Sequence, residues 1–147
     1  MDKNNDRVST YYLRTTALPL QSRRLAKAAT AILEESLGGR ERVYNIDLAT
    51  AEACANVARH AYREKEPGPL EIVVTLAPPE YVTVEVVDRG IGFEGHPLPA
   101  ANAKPEAEGG RGLFIMSQLA DKLDIRREDD KNIVSITMYM GEKPWKP

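Results

Sequence analysis

Cysteine is nearly absent from this chain: its 147 residues include one, Cys54. A lone thiol excludes an internal disulfide and fits a reducing compartment. Long apolar runs are missing as well. No stretch approaches the roughly 20 residues that a helix needs to cross a bilayer, so no membrane association is expected. The opening MDKNNDRVST is polar and lacks the apolar centre of a secretory signal, which makes the cytoplasm the expected location. An excess of one charge is lacking too. Twenty basic residues against twenty-two acidic ones leave a formal charge of −2 and a pI near 5.8. That balance gives no electrostatic footprint for nucleic acid or an anionic surface.

What is present is the composition of a soluble globular protein, 42% apolar and 29% charged. The length suits one domain over residues 1–147 with a single core. Val8 to Leu18 is rich in β-branched and aromatic residues and predicts a first strand, closed by Pro19. Gln21 to Leu37 carries Leu25, Ala28, Ala29, Ile32 and Leu37 near helical spacing, with Gly38 and Gly39 as its stop. A second helix is expected to start after Asn45 or Asp47, either of which could cap it, and to run to about Glu66 before Pro67. Leu70 to Leu76 and Tyr81 to Val87 read as strands, the second with Val82, Val84 and Val86 on one face. A long connection follows from Phe93 to Gly110, holding Pro97, Pro99 and Pro105; at this length it is expected to be a lid or a disordered segment. Leu113 to Leu123 predicts a third helix, Leu123 to Arg127 and Ile133 to Met140 two closing strands, and the tail KPWKP is expected to fray. This order predicts an α/β (α+β) two-layer sandwich, with helices on one face of a mixed, mostly antiparallel sheet.

Three polar clusters carry chemistry. Glu52 and Asn56 lie four residues apart on the second helix, so one turn brings carboxylate and carboxamide to the same face. A surface pair or a partly buried hydrogen bond explains them equally well in isolation. DRGIGF, Asp88 to Phe93, follows the most regular strand. Asp88 at the strand end could accept a hydrogen bond from an exocyclic amine such as that of adenine, and Gly90 and Gly92 allow sharp turns and close backbone approach. Alone, a plain turn with a turn-forming Asp is the better explanation. EGGRGLFIM, Glu108 to Met116, leads glycines into a helix. Free N–H groups there attract anions, Gly109, Gly110 and Gly112 clear space for a phosphate, and Arg111 adds charge. A flexible helix start with a solvated arginine is an equal alternative. No Gly-Lys-Ser/Thr loop occurs, and no strand feeds the glycines directly as a dinucleotide fingerprint requires.

In order, E-x-x-x-N on a helix, D-x-G-x-G after a strand, a proline-bearing lid and G-x-G at a helix start resemble the signature of GHKL-type ATP-binding domains. AEACANVARHAYRE, VVDRGIGFE and EGGRGLFIMSQLADKLDI together resemble the anti-sigma-factor serine kinases, the RsbW-like switch kinases, over roughly Leu18 to Met140. The resemblance implies a Bergerat-type ATP-binding fold with its lid over about 94–110. It implies ATP with Mg²⁺ held by Asn56, and Glu52 as base toward a serine hydroxyl. Asp88 is then the adenine-binding carboxylate, Gly90 and Gly92 the turn beneath the nucleotide, and Gly110 and Gly112, with Arg111, the lid end near the phosphates. It further implies a homodimer, a STAS-type anti-anti-sigma protein as substrate, and a sigma factor or other regulated protein as second partner. The alternative is a nucleotide-binding adaptor that sequesters a partner without phosphotransfer. Two departures stand out. Glu108 stands where some relatives carry a basic residue, and KNIVSITM replaces a strand start that often holds Gly-Thr. Asn132 could take that threonine's place, in a register the sequence leaves open. His60, Arg59 and Arg63 read as packing or solvated residues, and Cys54 as a small core residue.

Overall fold

The computed structural model describes residues 7–63, 65–91, 110–141 and 145–146. Five strands form one sheet in the order β1-β2-β3-β5-β4. They are β1 (Ser9–Thr16), β2 (Pro69–Ala77), β3 (Tyr81–Asp88), β4 (Lys122–Glu128) and β5 (Lys131–Tyr139). All four pairings are antiparallel, a narrower arrangement than the mixed sheet expected. Alternation in β2 and β3 sends Leu70, Ile72, Val74 and Leu76, with Val82, Val84 and Val86, into the core. Helices α1 (Pro19–Ser36) and α2 (Arg40–Asn56) pack on each other and against the sheet, and α3 (Gly110–Leu119) packs on α2. The two-layer α+β sandwich predicted from the sequence is therefore the observed architecture. Among the described residues no helix is long and apolar enough to cross a membrane.

Local differences have physical causes. The buried stripe of α1 is Ser22, Ala26, Ala29 and Leu33. Ala29 and Leu37 are buried as expected, but Leu25 and Ile32 are only partly buried and Ala28 is exposed, so the buried face is rotated from the expected one. Small side chains at three of those four positions let the helix lie close to the valine-rich sheet. Helix α2 starts at Arg40, ahead of both expected caps, because Val43 and Ile46 already belong to its buried face. Gly39 takes the N-cap position at φ 94°, a conformation that suits glycine. Asp47 is used elsewhere: its carboxylate accepts the Thr30 hydroxyl at 2.6 Å and ties α2 to α1.

The far end of α2 differs most. After Asn56 the chain widens into a π turn, Val57–Ala61, instead of continuing to Glu66. The Ala61 carbonyl accepts the Ile91 N–H at 2.9 Å, so it is not available for a further helical turn. Nor does the tail fray at Trp145, which pairs with Leu37 and packs against the core, while the Lys146 N–H donates to the Ser36 carbonyl at 2.9 Å. Helix α3 begins at Gly110, three residues before the expected start, and ends at Leu119, where the Ala120 N–H closes on Met116. Its glycines form the first turn rather than a loop ahead of it.

Candidate functional site

Glu52 and Asn56 are brought together as the helical spacing requires. One guanidinium nitrogen, Nη2 of Arg59, donates to Glu52 Oε1 at 3.2 Å and to Asn56 Oδ1 at 2.8 Å. Two oxygens therefore sit within reach of a single cationic group on one helix face. Arg59 itself is exposed and Glu52 half-buried. The π turn that follows is where such helix irregularities gather at functional sites. His60 lies in this turn and its Nδ1 meets Arg63 Nη2 at 2.9 Å.

Strand β3 delivers Asp88 at its end, where only 8% of the residue is exposed. Oδ1 of this carboxylate accepts the Gly90 N–H and the Asn132 side-chain N–H, both at 2.8 Å. Among the described residues Oδ2 accepts no hydrogen bond, which leaves one acceptor oxygen at a largely buried position. A carboxylate so placed is matched by a donor on a ligand, since it can only accept.

The loop after Asp88 reaches back to α2. A Cβ built on Gly90 would lie 1.9 Å from the Ala61 oxygen and 2.4 Å from its carbonyl carbon. Gly90 does not take a positive φ; its requirement is the close backbone approach, space against the π turn. Tyr62 fastens the same junction. Its hydroxyl accepts the Arg89 N–H at 2.9 Å and donates to the Pro69 carbonyl. Burial, with the charge of Asp88 nearby, pushes the phenol up, so it stays protonated as a donor. Asp88 and the Glu52–Asn56 helix are thus joined through Ala61, Tyr62 and Gly90. Gly92 and residues 92–109, which include the expected lid, lie outside the described residues. Gly110, Arg111 and Gly112 fall in the first turn of α3, anchored next to α2 by the fully buried Met116.

Arg127 is the residue that sequence reasoning missed, and Asn132, raised there only in an open register, now has its place. The register sets Asn132 directly opposite Asp88 across β3 and β5, and opposite Arg127 across β5 and β4. Arg127 Nη1 donates to Asn132 Oδ1 at 2.9 Å and to the Ile91 carbonyl at 3.2 Å. Its place near the start of the last strand was the available signal for Asn132. Arg127 had none, because its role depends on a pairing between strands. Cys54, among buried neighbours, has its thiol pushed up to about 12 by desolvation and takes no part in the site.

A family model described as a histidine kinase-like ATPase domain matches residues 15–138. Among characterised proteins, an anti-sigma F factor of Clostridium botulinum (strain Eklund 17B / Type B) is 32% identical over 95 residues, which is 62% of this chain and 66% of that protein. The serine-protein kinase RsbW of Bacillus pumilus is 30% identical over 112 residues, 70% of this chain and 68% of that one. The chain thus spans about two thirds of these relatives' length. The solved RsbU and RsbW domains of a Mycobacterium tuberculosis protein superpose with a TM-score of 0.64 at 17% identity, over 95% of this chain and 33% of that one, a likeness of fold. A blue-light activated histidine kinase domain from Erythrobacter litoralis superposes with a TM-score of 0.55 at 22% identity, over 84% of this chain and 60% of its own. The helix pair Glu52 and Asn56, the buried Asp88 and the glycine-led α3 occur within a match that takes in most of the sequence, and on that ground the chain belongs to the histidine kinase-like ATPase domain family, among its RsbW-like members.

Proposed function

We propose that this protein is an ATP-dependent serine/threonine protein kinase and anti-sigma factor of a partner-switching system. The observation that carries the reading is the buried Asp88 carboxylate with one oxygen unengaged among the described residues, docked through Gly90 and Ala61 to the helix bearing Glu52 and Asn56. In this reading Asp88 Oδ2 accepts the adenine amino group. Gly90 and Gly92 form the turn beneath the base. Gly110 and Gly112, with Arg111, sit toward the phosphates, where a helix start favours anions. Names of the relatives, anti-sigma F factor and serine-protein kinase RsbW, support the partner class.

The donor set suits magnesium. Asn56 offers an amide oxygen, the hard ligand this ion prefers, and Mg²⁺ commonly completes its shell with water and phosphate. When bound, the ion neutralises charge on the phosphates. Glu52 is the base one turn away. It takes the proton of a serine hydroxyl on a STAS-domain anti-anti-sigma protein as that oxygen bonds to the γ-phosphorus of ATP, and the bond to the β-phosphate oxygen breaks to release ADP. The unphosphorylated substrate and a sigma factor, or another regulated protein, would compete for the same chain, acting as a homodimer in the cytoplasm.

One observation favours the second reading, a nucleotide-binding adaptor without phosphotransfer: Arg59 already occupies Glu52 Oε1. The two separate in one experiment. Wild type and Glu52→Gln are mixed with magnesium, radiolabelled ATP and a purified STAS-domain protein, and ATP binding is measured alongside. Kinase action predicts equal binding and transfer reduced about 10²- to 10⁴-fold in the variant. Tight ATP binding with no transfer by wild type would establish the adaptor.

A further inference from the structure

Asp88, Asn132 and Arg127 form one cross-strand row, on β3, β5 and β4. The chemistry of the row has a direction. A guanidinium only donates and a carboxylate only accepts, so the carboxamide between them has one satisfied orientation. Asn132 Oδ1 faces Arg127 at 2.9 Å, and Nδ2 faces Asp88 Oδ1 at 2.8 Å and the Gly90 carbonyl at 3.2 Å. Without Arg127 the amide oxygen of Asn132, a residue only 6% exposed, would lose its partner. A buried acceptor left unpaired is unfavourable, and the side chain gains by turning away from Asp88.

Arg127 also holds the loop itself, through the Ile91 carbonyl at 3.2 Å. The contact is reciprocal: Arg89, in the loop, reaches the hairpin turn and donates to both oxygens of Asp130 at 2.8 Å. Loop and β4–β5 hairpin are therefore clamped from both sides, with the Asp88 carboxylate between them.

We propose that Arg127 is a positioning residue for nucleobase choice. Acting through Asn132, it keeps Asp88 Oδ1 saturated with donors and Oδ2 as the one acceptor offered to the base. A base with an exocyclic amine gains a hydrogen bond there, whereas a base with a carbonyl oxygen at that position meets a second acceptor. This inference rests on the reading of Asp88 as the base-binding carboxylate.

The test is calorimetric titration of the full chain with ATP and with GTP in the presence of magnesium, for wild type, Arg127→Met, Asp88→Asn, Asn132→Thr and the double variant Arg127→Met/Asn132→Thr. Arg127→Met is expected to weaken ATP about tenfold and GTP less than about twofold, so the preference between them shrinks. A threonine hydroxyl rotates freely and can donate to Asp88 without a partner to orient it. In the Asn132→Thr background the same arginine change should therefore cost ATP affinity less than about twofold, a coupling that a merely structural role does not produce. Equal losses for ATP and GTP, no loss for either, or the same loss in both backgrounds would overturn the inference. If Asp88→Asn binds ATP as wild type does, the reading of Asp88 fails and the inference falls with it. If Asp88→Asn loses ATP while Arg127→Met does not, the inference alone fails.

Discussion

The contact between Gly90 and the π turn makes a sharp prediction about Gly90→Ala. The added Cβ would stand 1.9 Å from the Ala61 oxygen, about 1.5 Å inside ordinary van der Waals contact, and what it meets is backbone. No rotamer relieves that overlap, so loop and π turn must separate. Separation breaks the Ile91 N–H bond to the Ala61 carbonyl and strains the Gly90 N–H bond to Asp88. A neutral backbone bond contributes about 0.5–1.5 kcal/mol and one to a charged group about 1.5–3 kcal/mol, so the loss should be about 2–4 kcal/mol. For a chain of this size that lowers the melting temperature by roughly 5–15 °C. Because Asp88 moves with the loop, ATP affinity should fall about tenfold or more as well. Thermal melts by far-UV circular dichroism and an ATP titration read both effects. Gly141→Ala is the control, since its Cβ meets nothing within 4 Å; it should stay within about 0.5 kcal/mol of wild type. A Gly90→Ala protein that melts within about 2 °C of wild type and keeps its ATP affinity would refute the seating of the loop on Ala61.

Arg59→Ala releases Asn56 Oδ1 and Glu52 Oε1 from an exposed ion pair of about 0.2–1 kcal/mol, so half-saturation by magnesium in ATP binding should fall by up to about fivefold. A rise instead would mean that the guanidinium serves the nucleotide. Gly39→Ala has open space around it but sits at φ 94°, so it should cost about 1 kcal/mol in urea unfolding through strain alone. Cys54, raised from 9.0 to about 12, keeps its proton in the fold and loses it first when unfolded. Its contribution is full below about pH 9 and is lost as pH rises toward 12; Cys54→Ala should flatten that alkaline fall, and thiol reagents should label wild type only on unfolding. Trp145→Phe, which deletes a buried indole N–H that has no partner among the described residues, should change stability by less than about 1 kcal/mol, whereas Trp145→Ala should cost about 2–3 kcal/mol by emptying its place on the core.

Much of this was legible in the sequence, and the pattern of what was not is physical. Periodicity found the sheet face of Val82, Val84 and Val86 because burial on one side leaves a period of two in the chain itself. The spacing of Glu52 and Asn56 was equally local, one helical turn. What escaped depends on partners distant in sequence. Helix α2 starts at Arg40 because Val43 and Ile46 are buried within the fold, and no capping side chain signals it. It ends early because Ala61 gives its carbonyl to Ile91, thirty residues away. The buried stripe of α1 includes Ser22, Ala26 and Leu33, which the face read from Leu25, Ala28, Ala29, Ile32 and Leu37 did not contain, because only packing on the sheet sets the rotation of the helix.

Asn132 joins the local and the distant kinds of information. Its identity and place at a strand start were visible, but its meaning required the register that sets it opposite Asp88. Shift β5 by one residue and Ile133 would face the carboxylate, so Asp88 would lose a donor and the side chains of β5 would swap faces. The apolar alternation that buries Ile136 and Met138 therefore also fixes the donor beside Asp88. Core and site are specified by the same pairing, and a substitution that loosens the β3–β5 register should impair base binding before it unfolds the chain.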